Sequence, residues 1–128
     1  MALSYARGMP ATFLVVESSD SLTHVEVSGM LDVASTREIE LRFSASTAGR
    51  HKPLIVDLSR VTFLASAGMS MLIHVARTLS ADKHPVVILA PIDAIEQALR
   101  IARLDSMMQI VATLQQAREV IASSAASR

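Results

Sequence analysis

The sequence predicts one small α/β domain: a mixed sheet of about four to five strands with an antiparallel edge strand, and about four helices. Two strand-like segments open the chain, and helix-like and strand-like segments then alternate to its end. Such alternation is typical of parallel strands joined by crossover helices. The length of 128 residues suits a single domain, and a hydrophobic content of 51% can supply its core. We expect the domain to span residues 12–122, after a lead-in of residues 1–11 and before a disordered tail of residues 123–128.

The composition argues against several classes of function. Lysine plus arginine total 12, as do aspartate plus glutamate, so no basic excess is available for binding nucleic acid. Cysteine is absent, which excludes thiol catalysis and disulfides. The N-terminus has no apolar signal segment, and the longest apolar stretch, Val86–Ile92, is too short to span a membrane. We therefore expect a soluble cytoplasmic protein with no membrane partner.

The first half of the chain predicts a hairpin and then a helix. Phe13–Glu17 and Leu22–Gly29 are strand-like and are separated by the turn residues Ser18–Ser21. Gly29–Asp32 leads into the helix, where Ser35 and Glu38 have the spacing of a capping box. One face of this helix is formed by Thr36, Ile39, Phe43 and Ser46.

The centre of the chain predicts a buried strand followed by an amphipathic helix. Pro53–Leu58 is a nearly continuous apolar run that ends close to Asp57. The residues after this strand have helical spacing, with apolar residues on one face of the helix and polar residues on another. Ser66 would be the first residue of this polar stripe. The apolar set is Met69, Leu72, Ile73, Ala76 and Leu79, and the polar stripe is Ser70, His74, Arg77 and Thr78.

The last part predicts two more strands and two more helices. Pro85–Ala90 and Met107–Val111 are the strands, and a helix over Ile92–Arg103 lies between them. Its inward residues are predicted to be Ile95, Ala98, Leu99 and Ala102, and those of the final helix Leu114, Ala117, Val120 and Ile121.

The stretch TFLASAGMS, residues Thr62–Ser70, carries the main candidate for chemistry. Ser66 lies among small residues where a strand gives way to a helix, so it is either a helix cap or a serine exposed for modification. A phosphate there would meet free amides and the positive end of the helix dipole. Asp32 and Asp57 have the same two interpretations, a structural aspartate or part of a site at the ends of strands.

Other kinds of site are not indicated. The four histidines, His24, His51, His74 and His84, are scattered, which makes a metal site improbable. The chain contains neither a phosphate-binding GxxxxGK[ST] loop nor a GxSxG nucleophile elbow. We expect no cofactor and no catalytic residue.

The segments SGMLD, residues 28–32, and LIVDLSRVTFLASAGMSMLI, residues 54–73, resemble a STAS domain. More specifically, they resemble the stand-alone anti-sigma factor antagonists of bacteria, and the resemblance covers residues 12–122. The block LIVDLS-x-VTF-x-x-S-x-G is fairly specific, the G-x-L-D segment is a weaker anchor, and ALRIARLDSMMQIV loosely resembles the third helix and last strand of the family.

The resemblance implies a protein-binding switch. In that family an anti-sigma factor, itself a serine kinase, phosphorylates a serine before the second helix; that serine falls on Ser66 and the motif glycine on Gly68. The unmodified antagonist binds the anti-sigma factor and frees the sigma factor, phosphorylation breaks the complex, and a serine phosphatase restores it. Two aspartates of the family fall on Asp32 and Asp57. Ala65 departs from the usual acidic residue, and Arg103 from the usual glycine.

Three hypotheses follow. The first is this switch, with a binding face made of Asp32, Phe63, Leu64, Ala65, Ser66, Ala67, Gly68, Met69, Ser70 and His74. The second is a phosphorylation-independent STAS scaffold or sensor that binds a partner protein or a small ligand, which Ala65 keeps open. The third is a serine hydrolase using Ser66 or Ser70, disfavoured because His74 is the only histidine near the motif.

Overall fold

A computed structural model describes residues 8–126, and within them five strands form one sheet in the order β1-β2-β3-β4-β5. β1 pairs antiparallel with β2, and all the other pairs are parallel. The predicted mixed sheet with an antiparallel edge strand is therefore confirmed. The strands are β1 Thr12–Ser18, β2 Thr23–Leu31, β3 Leu54–Leu64, β4 Val86–Leu89 and β5 Gln109–Val111; the helices are α1 Val33–Ser46, α2 Ser66–Ala81, α3 Asp93–Ile101 and α4 Leu114–Ala126.

The two faces of the sheet are covered by different helices. Alternate strand residues such as Val25, Val56 and Ile88 belong to the larger core, which also holds buried residues of α1, α2 and α3. Right-handed crossovers that advance in one direction place their helices on one face, which explains this grouping. α4 covers part of the other face, where its Ala117 and Ile121 lie in a smaller apolar cluster.

An ion pair joins α4 to the edge strand β1. Arg118 Nη2 lies 2.9 Å from Glu17 Oε1. This hydrogen bond is the main cause that lowers the pKa of Glu17. The contact links the last helix to the first strand on the face of the sheet that α4 covers in part.

β3 is longer than its apolar run predicted. The prediction ended it at Leu58, whereas the strand continues to Leu64 because residues 60–64 pair with residues 28–31 of β2. β2 likewise runs to Leu31, through residues interpreted as a lead-in to the helix. Gly29 permits this, since it has φ +91° and a Cβ there would overlap the carbonyl oxygen of Pro10.

The end of the third helix differs from its prediction. α3 ends at Ile101, and Ala102 is exposed although its spacing predicted an inward position. Arg103 adopts φ 64°, in the left-handed region that glycine favours, which accounts for the glycine expected at this position. The turn that follows buries Leu104 in place of Ala102.

The two ends of the chain were predicted to lie outside the domain. Pro10 forms a bridge with Met30, Ala11 is buried, and α4 continues to Ala126, past the expected boundary at residue 122. The remainder of the predicted lead-in and tail, residues 1–7 and 127–128, lies outside the described residues. None of the helices in the described part has the length and apolar character needed to cross a membrane.

Candidate functional site

Two helices start side by side at the carboxyl ends of β2 and β3. Leu31 pairs with Leu64 at the last position of these parallel strands. The Ala65 amide then donates to the Leu31 carbonyl oxygen at 2.9 Å, so the pairing continues to the first turn of α2. The structure thus brings Asp32, which precedes α1, and Ser66, which opens α2, to the same edge of the sheet.

Asp32 is the N-cap of α1. Its Oδ1 accepts from the Ser35 backbone amide at 2.8 Å. The Ser35 hydroxyl lies 2.8 Å from the same oxygen and 2.6 Å from the Met30 carbonyl oxygen, and donates to this pair of acceptors. The hydrogen bond from the Ser35 amide is the main reason that the pKa of Asp32 lies below its ordinary value, and the bond from the Ser35 hydroxyl lowers it further. The predicted capping box headed by Ser35 is wrong, because the helix begins at Val33 and Ser35 is its third residue.

α2 starts without any side-chain cap. Its N-cap is Ala65, whose methyl group offers no acceptor, and the first turn contains no acidic residue. The interpretation of Ser66 as the cap is therefore wrong: β3 extends to Leu64 and moves the helix start forward, so that Ser66 is the first helical residue. Its side chain is exposed and forms no hydrogen bond within residues 8–126. The first amides of α2 consequently lack the partner that Asp32 supplies in α1.

Gly68 allows the start of α2 to pack closely against the ends of β2 and β3. A Cβ at this position would lie 2.7 Å from Leu64 Cδ1 and 2.9 Å from Leu31 Cβ. Only a residue without a side chain allows so close an approach of the helix to the strand ends. Gly68 and Leu64, two members of the predicted binding face, are buried, and they contribute to the site by fixing the position of Ser66.

The remaining members of the predicted face form a surface that extends from the strand ends past Ser66 along α2. Ser70 and His74 are exposed on α2 in line with Ser66, as the predicted polar stripe requires. Asp32, Ala65, Ala67 and Met69 are half-buried, and Phe63 is 46% exposed.

Sequence reasoning missed two apolar residues at this edge. Val33 is 49% exposed and Ile92 is 42% exposed. They follow the carboxyl ends of β2 and β4, the strands on either side of β3. Their position shortly after strands was the signal available in the sequence.

Two other expected neighbours do not reach Ser66. Asp57 pairs with Glu26 in the middle of the sheet, and its Oδ1 accepts from the Ser59 amide at 2.8 Å, which is a local turn contact. It was expected at the end of a strand that in fact continues to Leu64. His74 stands eight residues along α2 from Ser66, roughly 12 Å at helical rise, and within the described residues no side-chain hydrogen bond joins His74 to Ser70, so neither candidate serine is paired with a base. The described residues contain no group of three or more histidines or carboxylates arranged for a metal ion.

Known proteins share this architecture. A family model described as "Mlab, STAS domain" matches residues 14–116. The crystal structure of an anti-sigma factor antagonist from Mycobacterium paratuberculosis is 28% identical, with a TM-score of 0.75, and the match covers 87% of this chain and 93% of that one. The antagonist SpoIIAA in its unphosphorylated form is 18% identical, with a TM-score of 0.72 and coverage of 88% and 97%. The phosphorylated form of the Bacillus SpoIIAA is 18% identical, with a TM-score of 0.65 and coverage of 86% and 99%.

Proposed function

This chain belongs to the STAS domain family, and on that premise we propose that it is an anti-sigma factor antagonist switched off by phosphorylation of Ser66. The unmodified chain binds an anti-sigma factor that is also a serine kinase, and thereby releases a sigma factor. A serine phosphatase reverses the modification, and the cycle takes place in the cytoplasm. The similarity to the mycobacterial antagonist, which extends over most of both chains, supports this role.

The observation that carries the proposal is the geometry of Ser66. Its hydroxyl is exposed and unbonded within the described chain, at the start of a helix whose first amides have no side-chain partner. A phosphate carries about −1.5 to −2 charges at pH 7 and is well accommodated by free amides and the positive helix end. Because Ala65 supplies no carboxylate, no fixed negative charge competes for those amides. The fold can thus accept the modification with little rearrangement.

The surroundings of Ser66 explain why the modification would still change binding. Phe63 and Val33 present apolar surface at the ends of the paired strands β2 and β3, where Ser66 is also exposed and uncharged before modification. A partner that buries this surface would have to desolvate the phosphate as well, which costs several kcal/mol unless new partners are formed. Unmodified Ser66 would permit the complex, and phosphorylated Ser66 would oppose it.

The test compares Ser66→Asp with wild type in binding to the anti-sigma factors encoded in the same genome. We expect a loss of affinity of tenfold or more, with an unchanged thermal unfolding midpoint. Ser21→Asp is the matched control, because Ser21 is exposed in the β1–β2 turn, which lies at the amino end of β2 and so at the other end of the strands from Ser66. Equal affinity of wild type and Ser66→Asp would contradict the proposed switch.

A second measurement addresses the modification itself. The protein is incubated with the bound anti-sigma factor and Mg-ATP, and its intact mass is compared with that of Ser66→Ala. A gain of one phosphate that disappears in the variant is expected. Binding without any gain in mass would support the phosphorylation-independent scaffold instead.

A further inference from the structure

A second surface of the domain is a groove along the β5 edge of the sheet. It has a volume of about 1080 Å³, and its walls are α3 and α4. The outer edge of β5 forms its floor, since β5 is the last strand in the sheet order. The groove is lined by none of the residues of the Ser66 surface.

The floor of the groove offers main-chain hydrogen bonds. The Ala90 amide donates to the Val111 carbonyl oxygen at 2.8 Å, so the main-chain groups of Val111 face β4. Successive residues of a strand direct these groups to opposite sides, and those of Ile110 therefore face the open edge. Beyond Ile110 the edge is closed, because Gln116 Oε1 accepts from the amides of Ala112 and Thr113 at 2.9 and 3.1 Å. An added chain could pair with only a few residues here.

The walls of the groove are acidic. Asp93 on α3 and Glu119 on α4 are exposed lining residues on opposite sides of β5. Glu96 also lines the groove, but it is paired with Arg100 at 2.9 Å. No lysine or arginine occurs among the lining residues that the structure describes. The groove therefore presents two carboxylates without a basic side-chain partner, one on each wall.

We propose that this groove binds an extended, cationic segment of a partner protein, which adds to the sheet beside Ile110 and places one basic side chain against each wall. Side chains of a strand alternate between the two faces of the sheet. One basic residue must therefore face α3 and the other α4, which requires that their positions in the segment differ by an odd number. This predicts a recognition pattern as well as a charge.

The test uses two acetylated, amidated peptides of identical composition, TKVVKT and TKVKVT. The lysines of the first face opposite walls, and those of the second face the same wall. We expect the first to shift the amide NMR signals of Ile110, Val111 and Val120 at low millimolar concentration, and to bind about fivefold more tightly than the second. N-methylation of its central valines should abolish binding, because it removes main-chain donors.

Protein variants complete the design. The double variant Asp93→Asn with Glu119→Gln should weaken the first peptide about fivefold, since each exposed charge pair contributes modestly. Glu38→Gln with Glu40→Gln is the matched control, because both residues are exposed on α1 and the net charge changes equally. Ser66→Asp should leave this binding unchanged. Absence of any shift, equal binding of the two peptides, or equal weakening by both double variants would overturn the proposal.

Discussion

The starts of α1 and α2 lie next to each other at the ends of adjacent parallel strands, yet their chemistry is opposite. In the first turn of α1, Asp32 accepts from the Ser35 amide, and the buried Ser35 hydroxyl donates to Asp32 and to the Met30 carbonyl oxygen. In α2 the N-cap position is occupied by Ala65, whose methyl group accepts no hydrogen bond, and the Ser66 hydroxyl is exposed to solvent. The same backbone position is thus used once for stability and once to leave a serine and a set of amides available.

The difference has an energetic meaning. A side-chain N-cap is commonly worth about 1 kcal/mol relative to alanine, so α2 forgoes that stabilisation at Ala65. The resemblance to the antagonist family implies an acidic residue at this position, so the missing cap is a feature of this chain and not a general requirement for modification of the serine. α1, which carries no candidate for modification at its start, follows the usual rule.

The largest effect is expected from Gly68→Ala, which disturbs the seat of α2 on the strand ends. The new methyl group would lie 2.9 Å from Leu31 Cβ, which cannot move without the strand. We expect a loss of about 1–3 kcal/mol in the free energy of unfolding, measured with urea.

Gly49→Ala provides the control for that experiment. A Cβ at Gly49 would meet only the Ser44 carbonyl oxygen at 3.4 Å, an ordinary contact. The stability of this variant should stay close to that of wild type. If Gly68→Ala were equally harmless, the close approach of α2 to the strands would not be what positions Ser66.

A smaller effect is expected from Ala65→Asp, which would make the two helix starts alike. The backbone of Ala65, with φ −84° and ψ 170°, already has N-cap geometry. The new carboxylate should accept from the free amides and stabilise the protein by about 0.5–1 kcal/mol. It should also slow phosphorylation of Ser66, because it occupies those amides and repels the incoming phosphate.

Ala65→Asn separates the two consequences. It supplies a comparable cap without the charge, so it should stabilise the fold and slow phosphorylation less than Ala65→Asp. Unfolding in urea gives the first quantity, and the rate of mass gain with the kinase and Mg-ATP gives the second. Equal phosphorylation rates in the two variants would show that charge at residue 65 has no part in the reaction.

The contrast between the helix starts also marks the limit of what the sequence could predict. The alternation of apolar segments was sufficient for the mixed sheet, and Ser66 was correctly placed at a strand-to-helix transition. The interpretation of Asp32 as a structural residue at the start of the first helix is confirmed, but a capping box was wrongly assigned to Ser35, and the cap of α2 was assigned to Ser66 instead of Ala65. The cause is the pairing of residues 60–64 with β2, a tertiary contact that extends β3 through exposed Thr62 and Phe63 and so decides where α2 begins. A local pattern search does not contain that information.

The smallest effect concerns the charge of the α1 cap. The pKa of Asp32 is lowered in the folded protein, so its ionised form stabilises the fold. This contribution is complete above the unfolded-state pKa and is lost as the pH falls through the lower, folded-state pKa. Asp32→Asn keeps a side-chain acceptor at the cap but does not titrate. The stability of wild type relative to this variant should therefore be constant near neutral pH and decline below about pH 4. Because all the other carboxylates are common to both proteins, the difference between their urea unfolding curves isolates Asp32, and a difference independent of pH would show that the hydrogen bonds of Ser35 do not favour the charged form.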